Sequence, residues 1–90
     1  MEFEWDSAKA ASNRRKHGVP FEEAQSAFDD PNVETFDDLG HSDTEDRRIA
    51  IGISGRGRLL IVSYTMRGRV IRIISARRAT KAEAENHGQA

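Results

Sequence analysis

The sequence contains no cysteine and no long apolar run, and each absence excludes a class of protein. Without cysteine the 90-residue chain forms neither disulfides nor a cysteine-ligated zinc site. No apolar run approaches the roughly 18 residues that a membrane span needs. The acidic start, residues 1–5, lacks the basic and apolar regions of a signal peptide. We therefore expect a soluble cytoplasmic protein with no membrane partner, and a single domain over residues 1–90, because a second core does not fit.

Acidic residues are also absent from residues 47–81, although the net charge of the chain is only −1. That stretch holds ten basic residues, nine of them arginine, whereas residues 1–46 hold thirteen acidic and four basic residues. An ordinary solvated surface mixes the two signs, so the segregation indicates an anionic partner, with nucleic acid the first candidate. Arginine pairs bidentately with phosphate and stacks on bases, which favours RNA. The alternative is that these arginines pair with the acidic half of the same domain.

The order of the predicted elements indicates an α+β fold. Asp6 is a suitable N-cap for a helix over 7–17 that ends at Gly18, and Pro20 opens a second helix over 20–29. Thr80 and Glu83 form a capping box that starts a short C-terminal helix. The predicted strands cover residues 2–5 and 32–36, both weak, and 47–54, 58–66 and 69–78, all strong. We predict two N-terminal helices packed on a mainly antiparallel sheet of three to four strands.

The predicted hairpins fix a register for the strong strands. With Arg67-Gly68 as one turn and residues 54–57 as the other loop, Arg48, Ser63 and Arg72 share one cross-strand row on a half-polar face. Two arginines that flank a serine repel each other unless an anion lies between them. The same register predicts a core face made of Ile49, Ile51, Leu60, Val62, Tyr64, Ile71 and Ile73.

Several segments resemble toxins of the BrnT type. They are Phe3-Glu4-Trp5-Asp6, Lys16-His17-Gly18-Val19, Phe21-Glu22-Glu23-Ala24, Asp43 to Arg47 before Ile51-Gly52, and, most specifically, Ile71 to Ala79 with Thr80 and Glu83. The resemblance covers essentially the whole chain in order. It implies a RelE-like fold, ribonuclease activity that arrests growth, and a DNA-binding antitoxin of the BrnA type that neutralises the toxin in a hetero-oligomeric complex.

RNA cleavage by its own 2′-hydroxyl needs no metal, but it needs a base, an acid and cations that stabilise the phosphorane. We predict catalytic roles for Arg72, Arg77, His17, Arg47 and Tyr64, and RNA-binding roles for Lys16, Arg48, Arg67 and Arg78. Arg72 is the first candidate, because a charge within an isoleucine-rich strand is costly unless it is used.

Several of these assignments have alternatives. His17 also suits a helix C-terminus, and Tyr64 also suits the core. The resemblance favours Arg47 over Arg48, whereas the predicted register favours Arg48.

We expect no metal and no cofactor, because the stretch from His41 to Asp46 lacks the glycine and spacing of a calcium loop. Two other functions stay open: a non-catalytic nucleic-acid-binding module, and a structural partner protein whose acidic half binds a basic surface.

Overall fold

A computed structural model of the protein describes residues 1–38 and 46–88, and within them five strands form one sheet. In chain order the elements are β1 (Glu2–Glu4), α1 (Ser7–His17), α2 (Phe21–Ser26), β2 (Glu34–Asp37), β3 (Arg47–Ile53), β4 (Leu59–Arg67), β5 (Val70–Arg78) and α3 (Lys81–Asn86). The strand order is β1-β5-β4-β3-β2, with β1 parallel to β5 and all other neighbours antiparallel. The predicted α+β class is confirmed. The sheet has more strands than the predicted three to four, because both short edge strands pair.

Helix α1 spans the predicted residues, whereas α2 begins at Phe21 and ends at Ser26, within the predicted range 20–29. The Asp6 carboxylate accepts two backbone N–H groups of the first turn of α1, at 2.8 and 3.1 Å. Gly18 ends α1 with a φ of +69°, a left-handed conformation that favours glycine. Helix α2 follows Pro20 and continues into one 3₁₀ turn, Ala27–Asp29. Both helices are thereby held over one face of the sheet.

The core lies between these helices and that face of the sheet. Its buried members are Val19, Phe21, Ala24, Ala27, Ala50, Leu60, Val62, Tyr64, Ile71, Ile73 and Ala76. The five predicted core residues on β4 and β5 are among them.

The prediction that Ile49 and Ile51 belong to this core face is wrong. Ala50 and Gly52 face the helices instead, and a Cβ on Gly52 would lie 2.5 Å from the carbonyl oxygen of Ala27. The isoleucines of β3 are half-buried on the opposite face, where Ile61 of β4 is buried. The helices approach β3 so closely that small residues are required there.

The physical reason is the length of the loop between β3 and β4. It has five residues, 54–58, rather than the predicted four, and the Ser54 N–H donates to the Arg58 carbonyl oxygen at 2.8 Å to close it. A slip of one residue turns every side chain of a strand to the other face. The side chains of β3 therefore lie on the faces of the sheet opposite to those predicted.

The hairpin between β4 and β5 also differs from the prediction by one residue. Its turn is Gly68-Arg69 rather than Arg67-Gly68, so that Arg67 pairs with Val70 and Thr65 pairs with Arg72. Gly68 has a φ of +61°. Further along, an irregularity opposite Ser63 and Tyr64 leaves Ile74 as an extra residue on β5. The predicted row of Arg48, Ser63 and Arg72 is therefore wrong.

Helix α3 lies on the face of the sheet away from α1 and α2. Arg77 donates two hydrogen bonds to the Glu83 carboxylate, both at 2.8 Å, and the His87 ring contacts the Glu34 carboxylate through Nδ1. Arg77 and Glu34 stand at the two ends of one cross-strand row that also contains Ile51 and Ile61. The C-terminal segment is thus attached across this row. Among the described residues, no helix has the length and apolar character needed to cross a membrane.

Candidate active site

The face of the sheet away from α1 and α2 carries a row of polar side chains beyond the area that α3 covers. In this row Arg47 of β3, Thr65 of β4, Arg72 of β5 and Glu4 of β1 are successive cross-strand partners. Neighbouring strands lie about 4.8 Å apart, so the two arginines stand on either side of Thr65. The observed row differs from the predicted one, because Arg47 and Thr65 stand beside Arg72 where the prediction placed Arg48 and Ser63.

Arg72 has a carboxylate partner that the sequence analysis did not include. Its Nη1 donates to Glu4 Oε2 at 2.7 Å, and Arg67 Nη1 lies 3.9 Å from the same oxygen. The Arg72 and Glu4 side chains are 27% and 38% exposed, so the pair is at the surface and can exchange with another anion. Glu4 lies beside Arg72 because β1 and β5 pair in parallel. Two strands so far apart in the sequence carry no local pattern that would predict this pairing.

Arg48 and Tyr64 pair with each other across β3 and β4, on the face that carries the helices. Tyr64 is only 4% exposed and packs edge-on against Phe28, with ring centroids 5.2 Å apart. Burial raises the pKa of the Tyr64 hydroxyl, against a smaller opposing effect of Arg48 and of a hydrogen bond with Thr35. Arg48 also contacts Asp46 at 3.3 Å. The burial of Tyr64 thus agrees with the alternative interpretation that it is a core residue.

The two arginines at the end of β5 are in different environments. Arg77 forms the bidentate pair with Glu83, which raises the pKa of Arg77 and lowers that of Glu83 to about 2. Arg78 is exposed. Arg77 therefore reaches an RNA phosphate only if Glu83 releases it, whereas Arg78 is accessible.

Lys16 and His17 contribute to a small cavity between α1 and β5. Its volume is about 180 Å³, and it is lined by Lys9, Ser12, Asn13, Lys16, His17, Ile74 and Ser75. Lys9 was not among the residues predicted from the sequence, although Lys9, Ser12 and Lys16 have the i, i+3, i+7 spacing of one helix face. His17 is exposed at the end of α1, so it is accessible to an RNA chain.

A family model describes the ribonuclease toxin BrnT of type II toxin–antitoxin systems, and it matches residues 5–83. The chain belongs to this family. It is therefore an endoribonuclease and the toxin of a type II toxin–antitoxin pair, with RNA as its substrate and an antitoxin as its partner. No curated protein sequence matches the chain.

A solved BrnT structure has the same fold. It is the 1.1 Å crystal structure of the ribonuclease toxin BrnT of Brucella abortus, which is 24% identical to this chain, with a TM-score of 0.69 over 90% of this chain and 99% of that one. At this level of identity the likeness establishes the fold. The roles of individual residues have to come from the geometry of this BrnT-family chain.

For a ribonuclease of this family, the state of each arginine decides how it can act. Within the described residues, at least six of the ten basic residues in 47–81 lie within 4.0 Å of a carboxylate oxygen, namely Arg48, Arg56, Arg58, Arg67, Arg72 and Arg77. More than half of these basic residues thus pair with acidic residues of the same domain, as the alternative interpretation of the sequence expected. Exposed pairs contribute little to stability, so phosphate can replace the carboxylate where the pair is open to solvent.

Proposed function

We propose that this toxin is a metal-independent endoribonuclease that inhibits translation and growth, and that RNA binds across the open face of the sheet at Arg47 and Arg72, on either side of Thr65. The observation that carries the proposal is the row itself. Two arginines of one cross-strand row flank Thr65, which is buried and whose hydroxyl donates to the carbonyl oxygen of Asp46 at 2.9 Å. The carboxylate that neutralises Arg72 is partly exposed. A phosphate that replaces Glu4 on Arg72 would gain charge-assisted hydrogen bonds, and Arg47 and Arg72 would stabilise the phosphorane charge.

The other residues predicted from the sequence have different roles in this proposal, according to how accessible each one is. His17 is the candidate general acid or base, because it is exposed beside the cavity between α1 and β5. Lys16, Arg67 and Arg78 are exposed and provide attraction for the RNA backbone. Contact with RNA requires a rearrangement of Tyr64, which is buried, and of Arg77, which is paired with Glu83. Arg48 is partly exposed but lies on the face of the sheet opposite Arg47 and Arg72.

The antitoxin in this proposal is a DNA-binding protein of the BrnA type, and the two proteins form a hetero-oligomer in the cytoplasm. The support is the resemblance carried by the segments from Phe3 to Glu83, together with the type II system that the family model describes. Residues 1–90 act as one ribonuclease domain, in keeping with the single sheet and core of the described residues.

Incubation of the purified toxin with RNA in EDTA tests the enzymatic proposal. Cleavage is expected to persist, because the 2′-hydroxyl route needs no metal. Retention of intact RNA would favour the non-catalytic nucleic-acid-binding module instead. Neither cleavage nor binding would favour the structural partner protein.

Expression in bacteria tests the biological role. The toxin expressed alone should stop growth, and co-expression of the antitoxin should restore it. Normal growth in the presence of abundant, folded toxin without its partner would contradict the proposal.

A further inference from the structure

The cavity between α1 and β5 exists because β1 is short. Strand β1 pairs with β5 only from Val70 to Arg72, so the outer edge of β5 has no strand neighbour after Arg72. Helix α1 covers that edge instead, and the buried Asn13 attaches it. The Asn13 amide donates to the carbonyl oxygen of Ala76 at 2.8 Å and accepts from the Ala76 N–H at 3.0 Å.

The floor of the cavity coincides with the irregularity of β5. Tyr64 pairs with Ile73 and Ser63 pairs with Ser75, so Ile74 is the extra residue of a bulge. Both Ile74 and Ser75 line the cavity. A bulge redirects side chains and is common beside functional sites. The cavity therefore lies between α1 and β5, and the hydrogen bonds of Asn13 fix the separation of these two elements.

The charge of the cavity distinguishes it from two other cavities of the described residues. Its charged and titratable lining groups are Lys9, Lys16 and His17, and its lining set includes no acidic residue. A larger cavity of about 360 Å³ is lined by Asp29 and Asp30, and a third combines Arg14 with Glu22. An anion is therefore attracted to the cavity between α1 and β5 in preference to the other two.

The size of this cavity indicates which part of an RNA enters it. Ligand sites for whole small molecules have volumes of about 300 Å³ or more, and this cavity is smaller, at about 180 Å³. Lys9 and Lys16 are exposed and one lysine stands at each end of the helix face, with the Ser12 hydroxyl between them. Two ammonium groups and two hydroxyls can donate to the oxygens of a single phosphate group.

We propose that this cavity binds one backbone phosphate of the RNA substrate, held by Lys9 and Lys16, with Ser12 and Ser75 as further donors. The proposal rests on the proposed ribonuclease function and adds Lys9 as a substrate-binding residue.

Inorganic phosphate is the direct probe of the cavity, because its binding does not depend on catalysis. In NMR titrations of the wild-type protein, we expect saturable shifts of the Lys9 and Lys16 ammonium signals and of the Ser75 amide. The Lys9→Gln/Lys16→Gln double variant should lose the Ser75 shift. The control Arg14→Gln/Arg15→Gln removes two exposed charges from the same helix, neither of which lines this cavity, and it should keep the shift.

An uncleavable RNA with 2′-deoxy substitution links the cavity to the substrate. The Lys9→Gln/Lys16→Gln variant should bind it on the order of tenfold more weakly, as for one lost charge-assisted contact. The magnitude of the salt dependence of log K should fall by ~0.7, the value for one phosphate. Lys9→Arg/Lys16→Arg should restore most of the affinity.

Two results would overturn the phosphate site. One is the absence of phosphate shifts at Ser75 in the wild-type protein, and the other is an equal loss of RNA affinity in both double variants. Circular dichroism of each variant establishes that it folds. Cleavage in EDTA by the wild-type toxin is a separate measurement, so a failed phosphate site can be told apart from a failed ribonuclease assignment.

Discussion

The carboxylate of Glu23 is 3% exposed, and the groups around it neutralise its charge. Arg58 Nε donates to Glu23 Oε2 at 2.8 Å and Arg58 Nη2 pairs with Oε1, while the Ser54 hydroxyl donates to Oε2 at 2.7 Å. The hydrogen bonds from Arg58 hold the pKa of Glu23 below its ordinary value, although burial acts in the opposite direction. This network joins α2 to the loop 54–58 that sets the register of β3.

The substitution Glu23→Ala should therefore destabilise the protein by about 3 kcal/mol, because it removes the buried carboxylate that both the half-buried Arg58 and the buried Ser54 hydroxyl contact. Urea denaturation followed by circular dichroism measures the effect. Glu22→Ala is the matched control, since Glu22 is the exposed neighbour on the same helix, and it should change stability by less than about 0.5 kcal/mol. Similar midpoints for the two variants would contradict the structural role of Glu23.

Arg72→Ala separates a functional role of Arg72 from a structural one. We expect cleavage to be abolished and stability to change by no more than about 1 kcal/mol, because the pair with Glu4 is partly exposed. Thermal melts and an RNA cleavage assay on the same preparation measure both effects. Arg67→Ala is the control, because Arg67 lies farther from the same carboxylate, at 3.9 Å, and its loss should weaken cleavage less. A large fall in melting temperature with cleavage retained would show that Arg72 is structural.

At the scale of single elements, helix ends were predictable and strand registers were not. Asp6, Gly18 and the Thr80–Glu83 capping box act on neighbours within a few residues, so the sequence alone predicts them, and all are present. A register depends on the length of a turn, and Gly68 fits either two-residue turn that contains it. Only Gly68 has a positive φ in the observed turn, so Gly68 takes its first position, as in type II′.

The candidate site was predictable in residue type but not in its partners. Arg72 was identified from its position in an apolar strand, and Arg47 from the resemblance. Glu4 and Lys9 were missed because they reach β5 through contacts between the two ends of the chain, which no local pattern encodes. The small residues Ala50 and Gly52 could have indicated which face of β3 packs against the helices, since they leave room for the 3₁₀ turn that follows α2.

Helix α3 provides a pH-dependent contribution to stability. The hydrogen bonds from Arg77 lower the pKa of Glu83 from an ordinary value of 4.5 to about 2. A carboxyl whose pKa is lower in the folded state stabilises the protein above pH 4.5, and this contribution is lost as the pH falls toward 2. It should amount to at most about 1 kcal/mol, because the pair is more than a third exposed.

Glu83→Gln tests this contribution. The wild-type protein should melt at a higher temperature than the variant at pH 7, and the difference should shrink as the pH falls from 4.5 toward 2. Glu85→Gln, an exposed position on the same helix, controls for the general loss of charge. A difference between the wild type and Glu83→Gln that does not change with pH would mean that the charge of Glu83 is not the cause.

Acidic and basic residues are segregated along the sequence, but in the folded molecule many of the arginines lie beside carboxylates. At least six of the ten basic residues in 47–81 have a carboxylate of the described residues within 4.0 Å, and Glu23 both neutralises Arg58 and contacts Arg56. The surface available to RNA is therefore less basic than the sequence suggests. Exposed cations on α1, Lys9 and Lys16, add to it from the acidic half of the chain.

The salt dependence of RNA affinity measures how many of these cations meet phosphate. Each phosphate contacted by a single-stranded RNA contributes a log–log slope of ~−0.7, so ten contacts would give a slope of about −7. Arg58 pairs with the buried carboxylate of Glu23, and Glu83 holds Arg77 through two hydrogen bonds, so these two arginines exchange their carboxylates for phosphate less readily than singly paired ones. We therefore expect three to five contacts and a slope of about −2 to −3.5. Binding of an uncleavable RNA at several concentrations of potassium chloride gives the slope. A slope near −7 would mean that the carboxylates yield to phosphate throughout the molecule, and a slope near zero that the arginines serve the fold alone.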